Sequence, residues 1–453
     1  MKPWEPRTPT PSALGDHDVP SVGRHLENRR IALLVCGGIA AMRAPLIARA
    51  LRRYGAHVVA YMSKESARYV TADTLAWSTN NSVVTELTWR SEHLSKDSPF
   101  DAYLVAPATY NTINKMRYGL ADSPVTSTLA TALGLLERDQ TQILVAPTLH
   151  GDMHNSVLEE SLRTLAARGM ILIPPRDEYG KHNIPDCETI VAYTCVALSK
   201  SKLKGLKILL SAGSTPTPID NVRCISNRFR GRLGVEIARE LALRGADVRL
   251  IMGAGSVPWP RWISGISVPD FDAYKKTVLK ELDEFQPSFG IFSAAVADYA
   301  PTKRFAGKVP SRGFLKSIDL VPTEKIVDLA RDRRPEMGLI SFKYQENISL
   351  GDLFDIANQR VRNGHLAVIA NRGEDMAGNA DHIAYLVTSG SPPRKLVSKP
   401  GIALGICDFI EEVQMLFQSR LAPTDAQESH ERHGPRARSS PSSSSLPHCG
   451  RDE

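Results

Sequence analysis

The chain has 453 residues, more than one ordinary core accommodates, so two or three domains are expected. Hydrophobic residues make up 42% and charged residues 23%, which excludes a disordered, collagen-like or coiled-coil chain. The net charge of +7 leaves nucleic acid, a membrane surface and small anionic ligands open as partners, beside a merely solvated basic surface.

No apolar run approaches 18 residues, so no transmembrane helix is expected. Residues 1–29 are rich in proline and charge and lack the apolar stretch of a signal peptide; they read as a disordered leader. The six cysteines form no CxxC pair, so neither a zinc site nor a disulfide framework is indicated, and the reducing cytoplasm is the expected compartment.

The first folded segment opens with the apolar run IALLV (31–35), ending in Cys36-Gly37-Gly38. A helix with Ile47, Ala50, Leu51 and Tyr54 on one face follows, then Gly55 as a left-handed cap and the β-rich HVVAYM. Further strands are predicted at AYLVAP (102–107) and QILVAP (142–147). The KSKLKGLK run (200–207) reads as a linker. A second segment then repeats the opening: KILLSAG, a helix carrying Ile237, Ala238, Leu241 and Ala242, Gly245, and DVRLIM. Across the two helix–strand texts (47–62 and 237–252), eight of sixteen positions are identical. Later strands are expected at 289–295, 339–342, 366–371 and 382–388. Strand, glycine turn, helix, strand is a βαβ unit, so the fold class is α/β, with two open, mostly parallel sheets. The domains are placed at 30–200 and 206–418, with a disordered basic Ser/Pro tail over 419–453.

The two copies differ in one respect. A short CGGIAAMRAP joins strand to helix in the first, whereas about twenty residues (214–234) intervene in the second. A loop that long usually serves a site, and it leaves the carboxyl end of a strand, where such sheets bind ligands. In the first half, Gly37 and Gly38 read either as a phosphate-binding turn or as simple tight-turn geometry. His93, eight residues before Asp101, reads either as a surface residue or as a base. In the second half, Asp298 followed by Lys303, Arg304 and Lys308 reads either as a strand cap with a solvated loop or as a magnesium-nucleotide site.

CGGIA, His93 before Asp101, APATYNTINKM (106–116) and GLADSPVTSTLA (119–130), followed by SAGSTPTPIDNVRCISNRFRGRLG, AAVADY (294–299), Lys308, AN (370–371) and GNAD (378–381), carry a family resemblance. Together they resemble the bifunctional family that joins phosphopantothenoylcysteine decarboxylase to phosphopantothenate–cysteine ligase, over about 30–415 and in family order. The resemblance implies a flavodoxin-like FMN domain followed by a Rossmann-like ligase domain. It implies FMN contacts at Gly37, Gly38, Ser63, Pro107, Ala108, Thr109, Asn111, Ala121 and Ser127, with His93 in the active site. For the ligase it implies CTP with Mg2+, contacts at Asp298, Lys308 and Phe342, Lys308 at the α-phosphate, and Asn227 at the acyl-cytidylate step. Substrate contacts are implied at His150, Lys181, Asp220 and Arg223.

The sequence also departs from the pattern. His150 stands where the family has a carboxylate-holding asparagine, and Lys181 where its flap has a cysteine, with Cys187 six residues on. An imidazole can hold a carboxylate and a lysine can donate a proton, but a lysine cannot do thiol redox chemistry. Cys36 replaces a serine or threonine. In the ligase half, 341–346 read SFKYQE, and Pro216-Thr217 replace Arg-Glu. The expected function is therefore a divergent coenzyme A biosynthesis enzyme acting on small phosphorylated substrates and cysteine. The alternatives are an amide-forming paralogue that uses acyl-cytidylate chemistry on another acid, and a non-catalytic flavin-binding regulator. No nucleic-acid or membrane partner is expected, and family members are homo-oligomers.

Overall fold

In the computed structural model, which describes residues 4–421 apart from 97, 256, 311–316 and 376–381 (backbone only for 417–421), the chain folds into two α/β domains with mainly parallel sheets. The first begins with β1 (Arg30–Val35), then α1 (Ala44–Arg52), β2 (His57–Met62) and α2 (Ala72–Thr79). It continues through β3 (Ala102–Ala108), α3 (Tyr110–Tyr118), α4 (Pro124–Leu136), β4 (Gln142–Pro147) and β5 (Leu149–His150). It closes with α5 (Ser156–Ala167), β6 (Ile171–Leu172), β7 (Arg176–Glu178), β8 (Lys181–Asn183) and α6 (Cys187–Leu198). Strands β2-β1-β3-β4-β6 form one parallel sheet, while β5, β8 and β7 form a separate antiparallel flap.

Continuous apolar text explains the central strands. Residues 31–35 and every residue of β3 are buried, as a strand covered by helices on both faces requires. On α1, Ile47, Ala48 and Leu51 are fully buried against this sheet; Ile47 and Leu51 each contribute roughly 1.5–3 kcal/mol. Gly55 (φ 93°) and Gly245 (φ 95°) adopt the left-handed conformation predicted for them.

The second domain runs β9 (Lys207–Ala212), β10 (Ser214–Thr215), β11 (Thr217–Pro218), β12 (Cys224–Ile225), α7 (Arg232–Leu243), β13 (Asp247–Met252), β14 (Ser264–Ser267) and α8 (Phe271–Glu284). After these come β15 (Phe289–Phe292), β16 (Ala295–Val296), β17 (Tyr299–Pro301), β18 (Leu320–Pro322), α9 (Ile326–Arg333) and β19 (Gly338–Gln345). The last elements are α10 (Leu350–Arg362), β20 (Ala367–Arg372), β21 (Ile383–Thr388), β22 (Ser391–Val397) and α11 (Lys399–Leu421). Its sheet, β14-β13-β9-β15-β19-β20-β21-β22, is parallel up to β20 and antiparallel beyond. Residue pairs Leu250↔Leu210 and Ile291↔Leu210 put the repeated motif at its centre.

Two boundary expectations need correction. The leader is not loose throughout: Leu26 is fully buried in the first core, and the Val22 and Leu26 amides donate to the Arg53 and Tyr54 carbonyls at 2.8 and 2.9 Å. Leu26 stands among prolines and charges with no sustained apolar periodicity to mark it, so the pattern of the sequence hid it. The 200–207 run, too, is docked rather than free. Leu203 is buried in the second core, Ser199 Oγ donates to the Arg244 carbonyl at 2.6 Å, and the Gly205 amide donates to the Gly245 carbonyl at 2.9 Å. The tail from 422 onward lies outside the described residues.

The domains touch directly. Arg239 on α7 donates to the Tyr54 hydroxyl at 2.6 Å and pairs with Glu188 on α6, His25 faces Glu240 at 3.2 Å, and Trp262 packs against both cores.

Candidate active sites

In the first domain the turn after β1, the ends of β2 and β3, and the entry to α4 carry the predicted flavin contacts. Gly37 is glycine for a packing reason: a Cβ there would lie 2.3 Å from the Glu65 Cβ. Gly38 faces Thr109, whose Cγ2 would sit 3.4 Å from an added Cβ, so the turn after β1 meets the end of β3. Ser63 and Thr109 hold helix starts, their hydroxyls accepting from the Ser66 and Thr112 amides at 3.3 and 3.4 Å. Pro107 and Ala108 are buried beneath, Asn111 and Ala121 are exposed, and Ser127 Oγ reaches the Ala121 carbonyl at 3.5 Å. The result is an open shelf of small and hydroxyl-bearing residues, which suits a planar ring with a phosphate. Cys36 lies behind it, fully buried; burial pushes its thiol up to about 11 despite a hydrogen bond from Thr112.

His93 sits on the loop before β3. Tyr61, on β2, donates its hydroxyl to the Glu92 carbonyl at 2.8 Å and so anchors the residue next to it. The His93 Nδ1 is buried with no hydrogen-bond partner. A buried polar atom left without a partner is uncommon, which singles this nitrogen out on the loop before β3.

The flap brings His150 and Lys181 together as directly opposed residues of β5 and β8. Both are exposed, and His150 Nδ1 accepts from the Asp152 amide at 3.3 Å. Behind them runs a chain invisible to sequence spacing. Asp177 contacts His182 at 2.5 Å, His182 contacts His154 at 2.9 Å, and His154 contacts Glu159 at 3.2 Å. These contacts tie the flap to the start of α5. Cys187 is the first residue of α6, and burial raises its thiol although Arg43 opposes this.

The second domain holds a cleft of about 1290 Å3 at the carboxyl ends of β9, β15 and β19. Its floor needs two glycines: Gly213 (φ 81°) and Gly231 (φ 77°), where a Cβ on Gly231 would meet the Gly213 nitrogen at 2.8 Å. The 214–234 loop forms one wall, with Arg228, Arg230 and Arg232 facing in and Phe229 edge-on to Tyr344 at 5.6 Å. Asp298 and Phe342, the expected nucleotide contacts, both line the cleft. The partner of Asp298 is Lys325, at 2.5 Å, rather than Lys303, Arg304 or Lys308. Asn227 stands at the rim, its amide donating to the Ala295 and Val296 carbonyls at 3.0 and 3.3 Å.

Several cleft cations were not anticipated: Lys325, Arg331, Lys343 and Arg360. Burial first, and Arg360 next to it, hold the Lys343 ammonium below its usual range. Neither Lys325, which follows the short β18, nor Arg360, far along α10, stood in a motif that the sequence singled out.

Lys308, Asp220 and Arg223 are not cleft-lining. The Asp220 carboxylate is fully buried and occupied: Oδ1 accepts from the Val222 and Arg223 amides at 2.8 and 2.7 Å, and Oδ2 from the Val309 amide at 3.0 Å. Burial works to raise its pKa, but these backbone donors and Arg223 outweigh it and hold the carboxyl below the usual range. A carboxylate saturated by its own chain has nothing left for a substrate, so its expected contact role is corrected. Residues 378–381 lie outside the described residues.

Comparison with known proteins matches these halves separately and together. The family described as "Flavoprotein" matches residues 20–199, and "DNA/pantothenate metabolism flavoprotein C-terminal domain" matches 203–413. The coenzyme A biosynthesis bifunctional protein CoaBC of Thermococcus kodakarensis is 31% identical over 397 residues, covering 86% of this chain and 96% of that protein. The chain belongs to the CoaBC family. The CoaBC protein of Mycolicibacterium smegmatis is 31% identical over 383 residues, covering 78% of this chain and 89% of its own length. Among solved structures, a DNA/pantothenate metabolism flavoprotein from Streptococcus pneumoniae aligns with 46% of this chain and all of its own, at 24% identity and a TM-score of 0.42. The CoaBC order of domains, flavoprotein then ligase-like, is the order in which the shelf and the cleft occur here. Among the described residues no helix is long and apolar enough to cross a membrane, and no group of three or more His, Cys, Asp and Glu residues is placed to hold a metal.

Proposed function

We propose that the second domain joins 4′-phosphopantothenate to cysteine using CTP, and that the first domain binds FMN and acts on the cysteinyl product. The cation-lined cleft carries this reading: Arg228, Lys325, Lys343 and Arg360 converge on one space at the carboxyl ends of the strands, together with Asp298 and Phe342. A triphosphate supplies the anion that such a field awaits, and Mg2+ arrives with it rather than residing in the protein. A free carboxylate is a poor acyl donor. Transfer of CMP to it expels pyrophosphate and leaves an acyl-cytidylate, which the amine of cysteine attacks, releasing CMP. Asn227 orients the acyl group at the rim, and Lys308 offsets charge at the α-phosphate.

On the shelf, Gly37, Gly38, Ser63, Thr109, Asn111 and Ser127 would hold FMN, and His93, whose Nδ1 has no partner within the chain, would move a proton. FMN, when bound, accepts the electrons of the substrate thiol. His150 replaces an amide as carboxylate holder, and Lys181 stands opposite it as the flap's proton donor. With no thiol at that place, a flap cysteine would not return the electrons to the product, so the product would leave two electrons more oxidised and an external oxidant such as dioxygen would have to restore the flavin between turnovers.

Purified protein should be yellow, and a colourless preparation that FMN cannot reconstitute overturns the shelf assignment. Incubation with CTP, Mg2+, cysteine and 4′-phosphopantothenate should release pyrophosphate. Release with a different acid only would make the chain an amide-forming paralogue.

A further inference from the structure

The turn at 219–223 and the segment at 305–309 are stitched together by more bonds than two solvent-facing loops need. The Phe305 amide donates to the Ile219 carbonyl at 2.9 Å, and the Asn221 amide to the Gly307 carbonyl at 2.9 Å. On the far side of Lys308, the Val309 amide donates to Asp220 Oδ2 at 3.0 Å, and Arg223 Nη2 donates to the Val309 carbonyl at 2.8 Å. Both neighbours of Lys308 are therefore fixed, while Lys308 itself is exposed. Asp220 is the hub, because its two oxygens tie the turn to Val309 and its side chain has no exposed surface.

We propose that Asp220 is a positioning residue for the ligase reaction: it touches no substrate and sets the backbone on which Lys308 approaches the nucleotide. The inference rests on the CTP-dependent reading of the second domain. Its physical basis is that a buried, fully bonded carboxylate holds a backbone more rigidly than an exposed contact does. A lysine aimed at charge that develops only in the transition state is sensitive to sub-ångström misplacement. The Gly307 backbone (φ 72°) lets the segment turn back toward 221, so the strap is built around Lys308 and not elsewhere.

Asp220→Asn puts an N–H donor where the Val309 amide needs an acceptor, with no change in size. The expected result is a kcat for pyrophosphate release lower by roughly 10–100-fold, with the KM values for CTP and 4′-phosphopantothenate within about 3-fold of wild type. Lys308→Gln should lower kcat similarly, and the double variant should be no slower than Lys308→Gln alone, within about 2-fold. Multiplying effects, or a KM rise for the acid with kcat retained, would overturn the proposal. If Asp220→Asn does not fold, Arg223→Lys, which gives up the bond to the Val309 carbonyl, takes its place in the same cycle. Hydrogen exchange of the 305–309 peptide gives a readout independent of turnover. It should quicken in Asp220→Asn or Arg223→Lys and be unchanged in Lys308→Gln; unchanged exchange in the former also overturns the proposal. Wild-type protein that releases no pyrophosphate from CTP with any acid instead removes the ligase reading, and the exchange result then still decides whether Asp220 holds this segment.

Discussion

Burial, with Arg360 and Arg331 beside it, holds His365 down at about 4, and its Nδ1 lies 2.7 Å from the Ser341 hydroxyl. The folded value lies below the unfolded value of about 6.5, so the unfolded chain binds the extra proton. The stability this neutral ring contributes is complete above about pH 6.5 and is lost as pH falls toward 4, by up to about 3 kcal/mol. Thermal melts from pH 7 to 4.5 should therefore slope downward, and His365→Asn should flatten part of that slope. An identical slope in the variant would assign the acid sensitivity elsewhere. None of this was legible beforehand, because a histidine after Gly364 shows neither its burial nor the two guanidinium groups that α9 and α10 bring to it. The cleft placement of Asp298 and Phe342 was within reach because both stand in or beside strands that the sequence predicted. Asp220 was misread because a motif records that a carboxylate is needed and not which atoms consume it.

At the scale of elements, the repeated βαβ text was readable because its periodicity and glycine caps are local. The tightness of its packing was not. Gly234 in α7 lies so close to β9 that a Cβ would stand 2.3 Å from the Ala212 Cβ, leaving no room for a methyl group. Gly234→Ala should cost about 1–3 kcal/mol by overpacking, seen as a lower urea midpoint with an unchanged slope. Adding Ala212→Gly should restore most of it, and failure to do so would place the strain at another contact. The flap shows the opposite limit: β5, β7 and β8 are two or three residues each, too short for any alternation to announce them.

Across the whole molecule, the order of the two domains followed from sequence. Their mutual contact did not, since it depends on Glu188 and Arg239, which read as ordinary surface positions, and on the hydroxyl of Tyr54, which read only as part of an apolar helix face. Arg239 bonds Tyr54 and Glu188 across the boundary, and burial opposes its charge while both partners raise its pKa. With Trp262 packed on both cores, calorimetry should show one dominant transition. Arg239→Ala, which removes these cross-boundary bonds, should separate it into two; two equal transitions already present in the wild type would deny the coupling.

The connector between the domains also bears on how material passes from one site to the other. Residues 199–206 lie bonded along the second domain through Arg244, Gly245 and Asp247, with Leu203 sunk in its core. Such a seam cannot act as a swinging arm that ferries an intermediate. A compound made in the cleft must reach the shelf by its own diffusion or be taken up by another chain. A coupled assay should then show a lag that shortens in proportion to protein concentration, and an excess of unlabelled intermediate should dilute the label in the final product.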